Sequence, residues 1–187
     1  PPTATPGDAH PRAARLHGEE REIAILFADL RSFTQFSEKK LPYDVVFVLN
    51  QYFASMGEAV ETAGGHLDKF IGDGVMALFG TDGDAATACR QSLVAAKAMG
   101  EKLAELNRTL EHDLDEPFRM GIGVHAGPAI VGEMGYGAAT GITAIGDAVN
   151  TASRLEAMTK EFGAQLVVSQ HVAERAGVDL SDYPRHE

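Results

Sequence analysis

An unbroken apolar run, Ile23 to Ala28, ends abruptly at Asp29 and constrains everything around it. The run is short and β-branched at Ile23 and Ile25, which predicts a buried central strand delivering a carboxylate at its C-terminal end. The residues that follow, Leu30-Arg31-Ser32-Phe33-Thr34, turn into a new helical pattern, where backbone N–H groups are free. A carboxylate beside a helix start can hold a metal and a phosphate together. On this segment alone, an Asp that only caps the helix is the simpler reading.

The rest of the chain supplies partners for that strand. With 187 residues, 44% of them hydrophobic, the chain is expected to form one domain with a real core. Residues 1–20, rich in Pro and Ala, read as a linker that turns helical near Ala13 to Glu20, and residues 21–187 as the domain. Pro42 to Ala63 carries Val45, Val46, Leu49, Phe53, Met56 and Val60 at helical spacing, and Gly64-Gly65 stops it. His66 to Gly80 reads as a β-hairpin with Asp73 at its tip, between Gly72 and Gly74. An Asp-Gly pair is by itself a common hairpin turn. Lys69 sits between Leu67 and Ile71 on one face of the incoming strand, where a lysine is costly to desolvate without a partner. Snorkelling at a strand edge explains it equally well.

Asp84 to Leu110 is a proline-free helical pattern containing Cys89, read as a small core residue. After a polar loop over Glu111 to Glu116, Phe118 to His125 alternates as a strand. Ala126-Gly127-Pro128 reads as a break, and Ala129 to Val131 as a second short strand. His125 has no ligand-type neighbour at metal spacing and reads as structural. The Gly-rich stretch Gly132 to Gly141 matches neither a P-loop nor a dinucleotide fingerprint and reads as a flexible hairpin. Thr143 to Ile145 is a short strand, and Gly146-Asp147 opens a helix on which Asn150 and Arg154 lie one turn apart on one face. An amide and a guanidinium near a helix start suit a developing phosphate charge. The alternative is a solvated Asn, with Arg154 paired to Glu156 or Glu161. Gln165 to Ser169 is a last strand, and His171 to Glu187 trails off in polar residues. This order predicts a ferredoxin-like α+β sandwich, an antiparallel-rich sheet with flanking helices, which many functions share.

A formal charge of −11 argues against a nucleic-acid-binding surface, though not against a nucleotide whose charge a metal can offset. One cysteine excludes an intrachain disulfide and fits a reducing, cytoplasmic setting. No apolar stretch approaches the roughly 20 residues of a membrane span, so no membrane contact is expected. The chain opens on Pro1 rather than Met and reads as a fragment of something longer.

Three blocks together, FADLRSFT, DKFIGDGVMALFG and TAIGDAVNTASRLE, resemble the class III nucleotidyl cyclase catalytic domain, in family order and spacing from about Arg21 to Ser169. The resemblance implies that Asp29 and Asp73, with the carbonyl of Leu30, bind two divalent metal ions, Mg²⁺ or Mn²⁺. It implies phosphate contacts from Ser32, Phe33 and Thr34, with Arg31 and Gly72 also on the substrate. Asn150 would orient the ribose, and Arg154 would stabilise charge at the α-phosphate as pyrophosphate leaves. Lys69 would read the purine edge together with Thr143, with Ile145 beside it. In the family these parts meet only across a head-to-tail dimer, so a homodimer would carry two shared active sites.

Lys69 only donates, which suits adenine N1, while the Thr143 hydroxyl can accept from the 6-amino group. The implied reaction is therefore conversion of ATP to 3′,5′-cyclic AMP and pyrophosphate. A Lys/Thr pair resembles the subclass that includes bicarbonate-stimulated members, which implies bicarbonate as an effector. Two departures stand out: Gly135 to Thr140 lacks the basic residue many members place near the triphosphate, and the chain stops before the family's final strands. A guanylyl cyclase and a catalytically silent nucleotide-sensing or dimerisation domain are the alternatives, although both Asp residues, the Asn and the Arg all stand.

Overall fold

The computed structural model describes residues 18–187. Its first strand, β1 (Glu19–Arg31), contains the apolar run and lies in the middle of a six-stranded sheet. Helices α1 (Phe33–Lys39) and α2 (Pro42–Thr62) follow, then the hairpin β2 (His66–Ile71) and β3 (Gly74–Phe79). Helix α3 (Ala85–Thr109) leads to the long strand β4 (Arg119–Met134), and a short 3₁₀ turn to β5 (Gly141–Ile145). The chain closes with α4 (Asp147–Phe162), β6 (Leu166–Val168) and α5 (Gln170–Ala176). Strand order is β2-β3-β1-β4-β5, with β6 parallel to β4 and every other pairing antiparallel. This is the α+β sandwich expected from the order of elements.

Strand alternation divides the core in two. Ala24, Leu26, Ala28 and Leu30 face α2, α3 and α5 and pack with Tyr52, Met56, Met99 and Val172. Ile23 and Ile25 face the other way, onto Ala148 and Ala152 of α4. Asp29 continues that second row. The backbone therefore points the β1 carboxylate to the α4 side, away from the larger core.

Four expectations are corrected. β1 begins at Glu19, inside the segment read as linker and helix; the rest of that reading falls on residues 1–17, outside those described. The break at Ala126-Gly127-Pro128 is absent, and β4 runs through it. Residues 122–124 pair with β6 and 130–134 with β5, so Pro128 stands between them, where β1 is its one strand neighbour and a missing N–H is tolerated. Gly132 to Met134 likewise belong to β4 rather than to a flexible loop. Finally, the C-terminal stretch forms α5, capped by Ser169, whose hydroxyl accepts from the Val172 amide, and stopped by Gly177 at φ +73°. Val172 and Ala173 are buried, and His171 Nε2 and Arg175 each lie 3.0 Å from Glu22 of β1.

Candidate functional site

Asp29 and Asp73 reach one cavity of about 430 Å³, lined also by Leu30, Arg31, Ser32, Phe33, Thr34, Arg119 and Lys160. β1 delivers Asp29. The two-residue turn of the β2–β3 hairpin delivers Asp73, with Gly72 at φ +60°. The hairpin is locked in place because the Leu30 amide donates to Asp73 Oδ2 at 3.0 Å. Gly74 keeps the turn itself tight: a Cβ there would meet the Ile71 carbonyl oxygen across the hairpin at 2.9 Å.

The loop between β1 and α1 turns at Ser32, whose φ of 62° is the one positive value at a non-glycine among the described residues. Such a conformation is held by its surroundings. Phe33 and Phe36 supply them by packing with Phe118, with ring centroids 5.1–6.3 Å apart. The Phe33 side chain is thus used for anchoring. Arg31 is committed as well, donating to the Ala164 carbonyl at 2.8 Å. Arg119 stands opposite Arg31 in the β1–β4 register, and Lys160 projects from the last turn of α4. Both cations border the cavity, and neither was singled out from the sequence. Arg119 follows a loop and Lys160 sits on a solvated helix face, positions without a local motif.

Glu156, named from the sequence only as an alternative partner for Arg154, also belongs to this site. It is turned inward onto Asp29 and does not pair with Arg154. Two glycines of β4 make this possible. A Cβ at Gly123 would stand 2.2 Å from the Glu156 backbone nitrogen, and one at Gly121 would stand 2.2 Å from Thr159 Oγ1 and 3.0 Å from Glu156 Oε1. As two carboxylates, Asp29 Oδ1 and Glu156 Oε1 would be buried oxygens without a donor. A proton resolves this. Burial first, and then the hydrogen bond to Asp29 and its charge, push the Glu156 carboxyl up to about 8, against the pull of Lys160 and Arg31. The Tyr52 hydroxyl, buried without a partner, is held protonated by burial and by the charges of Asp73, Asp29 and Glu156.

The donor set at the cavity is oxygen only. Among the described residues, no three His, Cys, Asp or Glu side chains are grouped to hold a metal. Two carboxylates and a backbone carbonyl suit a hard divalent ion that completes its shell with water and phosphate oxygens. A cation beside Asp29 would also serve the charge that a proton on Glu156 otherwise offsets. The residues fit such an ion.

The remaining expected site residues lie elsewhere. None of Lys69, Gly72, Thr143, Ile145, Asn150 and Arg154 lines the cavity. Asn150 and Arg154 are exposed on α4, and the alternative reading, an ion pair of Arg154 with Glu156 or Glu161, is not among the ion pairs of the described residues. Ile145 is 54% exposed. Lys69 and Thr143 do come together, through a residue the sequence reading passed over. The β2–β3 register skips between Leu67 and Lys69, leaving Asp68 at a bulge. That breaks the alternation expected around Lys69 and lets neighbouring side chains share a side. Asp68 accepts a hydrogen bond from the Thr143 hydroxyl and lies 4.0 Å from Lys69 Nζ. β2 and β5 are at opposite ends of the strand order, so the sheet curls until its two edges touch. A second tie, the His66 ring on the Ile142 carbonyl at 3.0 Å, holds them. His125 is structural as expected, with Nδ1 2.9 Å from Ser169 Oγ.

Comparisons with known proteins point one way. Residues 17–180 match the family described as adenylate and guanylate cyclase catalytic domain. Over 152 residues, 81% of this chain, the sequence is 37% identical to an adenylate cyclase of Anabaena cylindrica; over 149 residues, 80% of the chain, it is 34% identical to adenylate cyclase 1 of Rhizobium meliloti. The chain spans 30% and 22% of the lengths of those two relatives. Among solved structures, the guanylyl cyclase Cya2 is similar with a TM-score of 0.77 at 34% identity, covering 86% of this chain and 80% of that one. The adenylyl cyclase CyaB from P. aeruginosa gives 0.79 at 26% identity, covering 87% and 83%.

Proposed function

This chain belongs to the adenylate and guanylate cyclase catalytic domain family, and from that premise we propose that it converts ATP to 3′,5′-cyclic AMP and pyrophosphate in a homodimer with two shared sites. The observation that carries the reading is the convergence of Asp29 and Asp73 on one cavity, with Asn150 and Arg154 facing outward from another part of the same chain. A partner copy that brings its own Asn150 and Arg154 to this cavity completes the set.

Asp29, Asp73 and the Leu30 carbonyl would hold divalent metal ions, Mg²⁺ or Mn²⁺. When bound, these supply positive charge that acidifies the ribose 3′-hydroxyl and offsets the triphosphate. Arg119 and Lys160 border the same cavity and can take triphosphate oxygens, which offers a substitute for the basic residue missing from Gly135 to Thr140. The amides that open α1, at Phe33 and Thr34, are free of helical partners and add donors. Asn150 orients the ribose so that its 3′-oxygen attacks the α-phosphorus, and Arg154 carries charge on the α-phosphoryl oxygens as the bond to pyrophosphate breaks. Removing one such donor typically costs about 10²–10³ in rate.

ATP is favoured over GTP because Lys69 donates only, matching adenine N1, which has no hydrogen. The similarity to the guanylyl cyclase Cya2 is the specific observation on the other side. One assay separates the two: cyclic nucleotide formation from ATP and from GTP with Mn²⁺ or Mg²⁺, each with and without bicarbonate, the effector suggested by the Lys69/Thr143 pair. Faster ATP turnover is expected. Faster GTP turnover would overturn the assignment of the base.

A further inference from the structure

We infer that Asp68 is a specificity-determining positioning residue, which fixes the Thr143 hydroxyl as a hydrogen-bond acceptor toward the purine base. The inference rests on the cyclase reading above, in which Thr143 and Lys69 face the base. A threonine hydroxyl alone is a poor discriminator. It carries one proton and two lone pairs and can rotate, donating to guanine O6 as readily as it accepts from the adenine 6-amino group. Thr143 does not have that freedom, because its proton is given to the Asp68 carboxylate. What remains for the ligand is a lone pair. That matches an N–H donor at purine position 6 and opposes a carbonyl oxygen there.

The geometry is built for this contact. Asp68 is the bulged residue of β2, and its side chain is 5% exposed. A buried carboxylate is costly to desolvate unless it is paired. Here it has a hydroxyl donor on one side and the Lys69 ammonium, 48% exposed, at 4.0 Å on the other. The same carboxylate therefore orders both base-facing groups. Lys69 presents only donors and Thr143 only an acceptor, the reverse of what the N1–H and O6 of guanine require.

The test is the ratio of kcat/KM for ATP to that for GTP, which a purely structural role would leave unchanged. In Asp68→Ala the ratio is expected to fall about tenfold, the scale of one hydrogen bond whose direction is lost. Asp68→Leu also removes the acceptor but fills the space with a side chain branched at the same carbon, and should fall in step; it supplies the readout if the alanine variant does not fold. In a Thr143→Val background, Asp68→Ala should change the ratio no further, because no hydroxyl is left to orient. If both Asp68 variants slow ATP and GTP equally, or leave the ratio in place while Thr143→Val shifts it, the inference is overturned and the cyclase reading stands. If the wild-type protein turns over neither nucleotide, the cyclase reading falls and takes the inference with it.

Discussion

Glu156 and Asp29 present two carboxyl groups at one buried spot, and the proton they share has a measurable consequence. The Glu156 carboxyl is pushed from 4.5 up to about 8, so between those values the folded chain keeps a proton that the unfolded chain has released. Stability from this contact is complete below about 4.5, declines as pH rises across the interval, and is gone above about 8. In metal-free protein, Glu156→Gln replaces the shared proton with a permanent N–H donor. Melting temperatures of the two proteins between pH 5 and 9 should diverge, with wild type losing ground to the variant as pH rises. Parallel profiles would sink this account. Asp29 and Asp73 were legible as candidates because each ends a recognisable element, whereas Glu156 was not. Its inward direction depends on Gly121 and Gly123, on a strand far away in sequence, and no pattern within α4 reveals them. Asp68 was hidden for a related reason: a bulge reverses the side a residue faces, and strand alternation in the sequence does not reveal it.

Helix α4 carries that dependence to the scale of elements. It lies on β4 so closely that a Cβ at Gly123 would meet backbone atoms of Ala152 and Glu156, at 2.7 and 2.2 Å. Backbone cannot rotate aside as a side chain can. Gly123→Ala should therefore lift α4 from the sheet, at a cost of about 1–3 kcal/mol in stability, read as a lowered urea midpoint. Because Asn150 and Arg154 ride on this helix, turnover should fall as well. An unchanged midpoint would mean that α4 is less firmly seated than its contacts indicate. Most elements were legible because their periodicity and stop signals agreed, as in α2 with Pro42 and Gly64. The failures came where tertiary context outweighed a local signal. Pro128 reads as a break, yet its strand lacks a second neighbour at that point. α5 is short and polar, and its two buried residues, Val172 and Ala173, are too few to make a period.

At the scale of the molecule, Asp29 and Asp73 are separated from Asn150 and Arg154 within one chain, and the proposed function needs them together. Asp29→Ala and Arg154→Ala proteins should each be inactive alone. Mixed in equal amounts with free exchange, they should recover about a quarter of wild-type activity, since random pairing makes half the dimers mixed and each has one intact site of two. A verified mixed dimer that stays inactive would contradict the shared site. The sheet itself carries a last consequence. Its strands run from β2 to β5 in four steps, and the ends return to contact each other at Asp68 and Thr143. Lys69 and Thr143, which would grip the base in the proposed site, flank that contact and are thus the jaws of a calliper whose frame is the entire sheet. Any change of twist between neighbouring strands is summed over those steps before it reaches the jaws. Under the proposed function, a force applied to an outer helix would therefore alter the fit of the base without touching it.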